Sequence, residues 1–297
     1  MRSIGTALTA LTLACVATAN ALAGEATLDK IARSGVITLG YRQTEPPFSY
    51  KTPSGDIIGF SMDLCQHVAA DIGKHLKRED LKLEYVLATP ATRFILVKNG
   101  TIDIECAATT NNAERRKTVE FSYPDFLTAT QFVTRRSDSI TSIEDLTGRT
   151  VTSASGTVNI DQLNTINREK KLSIAVIATK TNEEAFNLVV SERAHAFVMD
   201  GILLAAMIAQ SDDPSKYLLS EDMLSKPEPY GLMLRKDDEA FKTVVNDSLR
   251  KLFMSPEMDA IYAKWFTSPI PPSGMNLNLP MSGVLKKAYA DPVEYKD

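Results

Sequence analysis

One run of nine residues, Thr109-Thr110-Asn111-Asn112-Ala113-Glu114-Arg115-Arg116-Lys117, is the part of this chain best equipped for chemistry. It follows a β-rich stretch, and Asn111 with Glu114 three residues on has the form of a helix N-cap and its reciprocal acid. The open N–H groups of such a helix start, with the positive end of the helix dipole, make a seat for an anion. Arg115 can close a bidentate clamp on a carboxylate, because a guanidinium presents coplanar paired donors. Taken alone, an arginine at a helix start is more often a solvated charge. A second seat is offered by Ser153-Ala154-Ser155-Gly156-Thr157, small residues between a strand and a helix that let a ligand approach the backbone closely. Many strand-to-helix loops have this composition, so it gains weight only beside the first.

Catalytic constellations are absent from the sequence. His67, His75 and His195 are the three histidines, and the first two stand eight apart, not at the i,i+4 spacing of a metal pair. No HExxH, CxxC, GxSxG, phosphate-binding loop or GxGxxG occurs, and no nucleophile–base pair assembles. The chain therefore reads as a binding protein that needs no cofactor. A net charge of −4 gives no attraction to nucleic acid or anionic lipid. With 44% hydrophobic and 24% charged residues, the chain is expected to fold around packed cores.

At the start, Arg2 precedes an uncharged stretch, 4–19, and Ala21-Leu22-Ala23 has the small–x–small form of a signal-peptidase site. Residues 1–23 are read as an export signal and the mature protein as periplasmic. Cys15 does not make a lipoprotein signal, since Thr12 stands where an aliphatic residue is wanted. Cys65 and Cys106 then remain; an oxidising compartment would allow them to pair, but the favoured reading is two small buried apolar residues.

The elements that must position these residues alternate strand and helix over 28–199, which is the α/β pattern. A strand is expected at 36–41 and a helix at 62–76, with Leu64, Val68, Ala69, Ile72 and Leu76 on one face. A strand at 81–87 leads to Thr89-Pro90, read as the cap and first turn of a helix carrying Arg93. A further strand is expected at 102–107, and Ser142-x-x-Asp145 and Thr181-x-x-Glu184 resemble capping boxes. The β-rich stretches 130–136 and 230–235 are read as crossings between two lobes. Lobe one would then comprise 24–131 and 231–297, and lobe two 132–230.

Several motifs occur in a fixed order along the chain. They are Leu28-x-x-Ile31-x-x-Ser34-Gly35-Val36-Ile37, Pro47-Phe48-Ser49-Tyr50, Gly59-Phe60-Ser61-x-Asp63, Thr109-Thr110-Asn111-Asn112-x-Glu114-Arg115, Gly156-Thr157, Met199-Asp200 and Lys264-Trp265-Phe266-x-x-Pro269-Ile270-Pro271-Pro272. In this order they resemble the family 3 periplasmic solute-binding proteins, most closely the glutamate/aspartate-binding branch. The resemblance implies a two-lobed periplasmic-binding-protein-like fold (type II), with two hinge strands and the ligand in the interlobe cleft. It also implies delivery of an acidic amino acid to the membrane permease of an ABC transporter, by a protein acting as a monomer. By motif position, Arg115 and Thr110 hold the ligand α-carboxylate, Thr157 adds donors, and Asp200 takes the α-ammonium. Arg42 and Arg93 fall where arginines bind the side-chain carboxylate. Three positions depart from the branch: Asn182 replaces a histidine near the distal carboxylate, Pro90 replaces a small hydroxyl residue, and Ala108 stands for serine at what is a backbone contact.

With Arg42, Arg93, Arg115 and Asp200 all in one cleft, the expected charge before ligand is +2. An acid opposes that charge and its amide does not. For a pair about 4 Å apart at an effective dielectric of about 20 the difference is about 4 kcal/mol, partly offset by desolvation. The competing readings are a binder of glutamine or asparagine, and a periplasmic dehydratase on the same scaffold, which would need a general acid in the cleft.

Overall fold

The computed structural model describes residues 25–78 and 80–296, and the expected export signal lies outside the described residues. Val36–Tyr41 forms the strand its composition predicts and is buried along almost its whole length. It is apolar on both faces because it is central: it pairs in parallel with Lys82–Leu87 on one side and Ile104–Glu105 on the other. Met233–Arg235 and Val119–Phe121 complete this first sheet in antiparallel sense. A second sheet repeats the plan. Thr150–Ala154 pairs in parallel with Ala175–Thr179 and Ala196–Asp200, and Thr130–Arg135 and Tyr217–Leu219 add the antiparallel edge. Helices pack on both sheets, and the molecule is a two-lobed α/β protein.

Two strands, Phe126–Thr128 and Glu228–Tyr230, pair antiparallel as a separate ribbon between the lobes. These are the hinge strands. The crossings expected at 130–136 and 230–235 are therefore displaced, since Thr130–Arg135 is a strand of the second sheet and Met233–Arg235 a strand of the first. The β-rich composition belongs to those sheet strands. A crossing piece of three residues is too short to show its own alternation.

The hinge is rooted in an aromatic cluster. Phe48 meets Phe60, Phe126, Tyr230 and Phe266 edge-on, with ring centroids 5.1–5.9 Å apart. Phe126 and Tyr230 belong to the hinge strands, so the ribbon is anchored on the core of the first lobe. The helix Phe60–His75 buries Leu64, Val68, Ala69 and Ile72 on its inward face, as the spacing predicts.

Three local expectations are corrected. The helix expected from Thr89-Pro90 begins at Arg93, because Thr89 and Thr92 bond reciprocally, each backbone N–H donating to the other's hydroxyl at 3.0 and 3.2 Å. The cap of Ala113–Arg116 is Asn112, whose Oδ1 accepts from the Arg115 N–H at 2.9 Å; Asn111 instead accepts from the Arg116 side chain. Cys65 and Cys106 are joined in a disulfide, with Cα atoms 6.1 Å apart. Both are buried where the helix Phe60–His75 lies across the first sheet, which brings them within bonding reach.

Among the described residues no helix is long and apolar enough to cross a membrane, and no cluster of His, Cys, Asp and Glu has metal-binding form. The bridge spans 41 residues of sequence. Chain-entropy arguments give such a cross-link about 3–4 kcal/mol. Reduction with dithiothreitol should lower the urea-unfolding free energy by about 3 kcal/mol; an unchanged midpoint would show that the bridge adds nothing.

Candidate functional site

All the predicted site residues gather at the carboxyl ends of the parallel strands of the two sheets, where open α/β sheets bind ligands. Arg42 directly follows Val36–Tyr41 and is 5% exposed. Its guanidinium donates to the Ala88 carbonyl at 3.1 Å and to Glu45 Oε1 at 3.3 Å. Glu45 is equally buried, and its Oε2 accepts the backbone N–H of Ala108 at 3.1 Å. Ala108, expected as a backbone contact, is thus held by its N–H from within the protein.

Arg93 opens its short helix and is 3% exposed. It donates to Thr109 Oγ1 at 2.7 Å, and Thr109 in turn donates to Glu105 Oε2 at 2.8 Å. Glu105 is fully buried and 4.0 Å from Arg93 through its other oxygen. Burial depresses the Arg93 pKa and raises that of Glu105, while attraction between the two works the other way. Arg93 Nε and Glu105 Oε1 are buried without a hydrogen-bond partner. Arg115 donates to the carbonyl of buried Thr110 at 2.9 Å. Desolvation, and then the charge of Arg93, bring Arg115 down to about 9. The two guanidinium groups flank one ring, each 5.2 Å from the centroid of Phe94.

The second lobe approaches with backbone first. Gly156, in a left-handed conformation with φ +78°, points its carbonyl at both arginines, 3.4 Å from Arg93 Nη2 and from Arg115 Nη2. A methyl group at Gly156 would sit 2.9 Å from the Pro90 carbonyl oxygen, so the lobes touch here along bare chain. Thr157 caps the helix Val158–Lys170, accepting from the Ile160 N–H and donating to the Ala154 carbonyl at 2.7 Å. Asp200 ends the strand Ala196–Asp200 and is 3% exposed. It accepts from Asn159 at 2.9 Å and from the Tyr230 hydroxyl at 2.5 Å, which ties the hinge to the second lobe. Asn182 follows Thr181, the cap whose hydroxyl accepts from the Glu184 N–H at 3.1 Å. Asn182 is buried, and its Oδ1 has no partner.

Arg93, Arg115 and Asp200 therefore meet across one closed cleft. Arg42 and Asn182 line a cavity of about 250 Å³ at its distal end. A more open cavity of about 440 Å³, between Arg115 and Thr157, lies at the other end. The charge count is corrected. Glu45 and Glu105 join Asp200 against the three arginines, so the formal sum with all six groups ionised is zero in place of +2. Glu45, Glu105, Asn159 and Tyr230 have no motif around them that marks them as site residues. Only burial among arginines, visible in three dimensions, singles out the two acids. His195, the one histidine of the second lobe, accepts the Thr150 N–H through Nδ1 at 3.3 Å and takes no part.

This arrangement defines a class: a two-lobed binding protein that closes over a small polar ligand. Solved structures agree. An ancestral arginine-binding protein bound to arginine is 29% identical, with a TM-score of 0.70, covering 78% of this chain and 98% of the other. The ancestral amino acid-binding protein AncCDT-1, a precursor of cyclohexadienyl dehydratase, is also 29% identical, with a TM-score of 0.70, over 81% of this chain and all of the other (100%). Residues 37–268 match the bacterial extracellular solute-binding proteins, family 3, and the chain belongs to that family. The L-glutamate/L-aspartate-binding protein of Pseudomonas aeruginosa is 42% identical over 292 residues, 98% of this chain and 96% of that one. The glutamate/aspartate import solute-binding protein of Escherichia coli is 36% identical over 298 residues, 98% and 97% of the two chains.

Burial raises the Asp200 carboxyl to about 6 from its ordinary 3.8, against the hydrogen bonds of Tyr230 and Asn159, which lower it. A carboxyl raised on folding stabilises the protein fully below its unfolded value, and that contribution is lost as pH rises through about 6. At neutral pH the charged form costs on the order of 3 kcal/mol relative to an unperturbed carboxylate. Asp200→Asn should therefore raise the melting temperature of the ligand-free protein at pH 7.5, and the gain should vanish near pH 4. Equal gains at both values would refute the assignment.

Proposed function

We propose that this protein captures glutamate or aspartate in the periplasm, having been exported by a signal peptide at 1–23, and presents it as a monomer to the membrane permease of an ABC transporter. It does so by binding and hinge closure and is not an enzyme. The hinge strands Phe126–Thr128 and Glu228–Tyr230 bound the lobes, so lobe one comprises 24–125 and 231–297 and lobe two 129–227, in place of the 24–131, 231–297 and 132–230 expected from the sequence. The observation that carries the reading is the convergence, in one buried cleft, of three guanidinium groups and a carboxylate from opposite lobes. The names of the relatives from Pseudomonas aeruginosa and Escherichia coli point to the same ligands.

The ligand α-carboxylate lies between Arg115 and Thr110 on one side and Thr157, with the amino end of Val158–Lys170, on the other. Thirteen aligned residues behind that end supply the dipole. Asp200, held in orientation by Tyr230 and Asn159, takes the α-ammonium. The side-chain carboxylate reaches Arg93 and Arg42, with Asn182 closing from the second lobe and Ala108 bordering the pocket. Closure brings the Gly156 carbonyl against both arginines and shuts out water, which strengthens every ionic contact inside. The closed form is what the permease recognises.

Calorimetry with glutamate tests the clamp. Removing one partner of a buried ion pair costs about 3–5 kcal/mol, so Arg115→Ala should weaken binding by about 100-fold or more. Unchanged affinity would take Arg115 out of the site. Arg93→Leu should weaken glutamate and aspartate about tenfold more than a neutral amino acid, since only the acids lose a charge partner. Equal losses for all ligands would contradict the distal role.

A further inference from the structure

The second-lobe helix Val158–Lys170 carries Gln162, whose amide donates to Glu228 Oε2 at 2.8 Å. Glu228 opens the hinge strand Glu228–Tyr230, and that strand is fastened to the first lobe. The Pro229 carbonyl accepts the Asn111 N–H at 2.8 Å, and the Tyr230 carbonyl accepts the Asp125 N–H at 3.0 Å. The Gln162–Glu228 contact therefore joins lobe two to a strand held on lobe one.

We infer that Gln162 and Glu228 are positioning residues for ligand capture: their hydrogen bond latches the closed cleft, and a chain of buried side chains ties that latch to Asp200. The inference rests on the capture-by-closure reading above and adds the device that holds the lobes shut.

The chain runs in one sense. Asn159 donates from its NH₂ to Asp200 Oδ1 at 2.9 Å and to Thr130 Oγ1 at 2.7 Å. Thr130 donates its hydroxyl to Gln162 Oε1 at 2.5 Å, and Gln162 donates onward to Glu228. Asn159 and Thr130 are buried, and a carboxylate terminates the chain at each end. Tyr230, two residues after Glu228 on the same strand, closes the ring by donating to Asp200 at 2.5 Å. Turning the Gln162 amide over would set its NH₂ against the Thr130 hydroxyl proton and its oxygen against the Glu228 carboxylate, so one orientation alone satisfies every member. Hydrogen bonds linked in this way polarise one another, and the loss of one weakens the rest.

The ring thus couples the ligand seat to the hinge. A cation on Asp200 fixes that carboxylate, hence Asn159 and Thr130, and so aims Gln162 at Glu228. The charge of Glu228 is felt at both Asp200 and Arg115, which places it beside the seat. Gln162 also lines the more open cavity between Arg115 and Thr157, so the latch stands at that end of the cleft.

The test compares the wild type, Gln162→Leu, and the exchange Gln162→Glu with Glu228→Gln. Glutamate affinity is read by calorimetry, release by chasing radiolabelled glutamate with unlabelled ligand, and folding by circular dichroism. Gln162→Leu should weaken glutamate about tenfold, as expected for a lost hydrogen bond to a charged partner. The loss should lie in faster release with association unchanged, because the latch forms after capture. The exchange swaps donor and acceptor at constant net charge and should bring affinity back to within about threefold of wild type. If the exchange does not fold, Gln162→Asn decides in its place: it keeps the amide but falls one methylene short, and it should release glutamate as fast as Gln162→Leu. Unchanged release in Gln162→Leu, a loss confined to association, or a loss that the exchange does not restore overturns the latch and leaves the capture reading standing. A wild type that binds neither glutamate nor aspartate overturns both.

Discussion

Charge taken out of water has to be answered by charge or by hydrogen bonds, and the cleft is built around that requirement. Three guanidinium groups and three carboxylates are confined between the lobes. Arg42 is answered by Glu45, Arg93 by Glu105 through Thr109, and Arg115 feels Asp200 across the gap. These pairings are incomplete. Arg93 Nε, Glu105 Oε1 and Asn182 Oδ1 remain buried without partners. A cleft compensated in sum yet unsatisfied atom by atom is set to gain from a guest that brings its own donors and acceptors.

The fold delivers these groups by repetition. Each lobe has three parallel strands flanked by an antiparallel edge, and each aims its carboxyl ends at the other lobe. The loops after those strands supply Arg42, the Thr89–Thr92 turn before Arg93, the capped segment before Arg115 and the Gly156-Thr157 segment, and the end of a strand itself supplies Asp200. Tyr230 couples the halves, since its ring belongs to the aromatic root of the hinge and its hydroxyl bonds Asp200. Any rotation at the ribbon is therefore felt at Asp200.

Much of this was legible beforehand. The strand at 36–41, the apolar face of the helix after Phe60 and the cap at Thr181 follow from local periodicity and turn chemistry, which act over a few residues. Arg42, Arg93 and Arg115 could be placed because ordered motifs surround them. What escaped depends on contacts distant in sequence, or on near-equal local choices. Asn111 and Asn112 are both competent caps, and only the geometry of the turn selects the second. Nothing near Cys65 reveals that Cys106 lies beneath it. Glu45 and Glu105 look like ordinary acids until the fold encloses them, and that omission shifted the expected charge of the whole site.

The seam at Gly156 has a consequence for how such a molecule can diverge. Where the lobes meet, peptide rests on peptide, Gly156 against Pro90, with no side chain between them. The travel of the closing jaws is thus gauged by main-chain dimensions, which substitution elsewhere in the cleft does not alter. The far chamber, by contrast, is walled by side chains, Arg42, Glu45 and Asn182 among them. Cargo preference can change there while the closed shape stays constant.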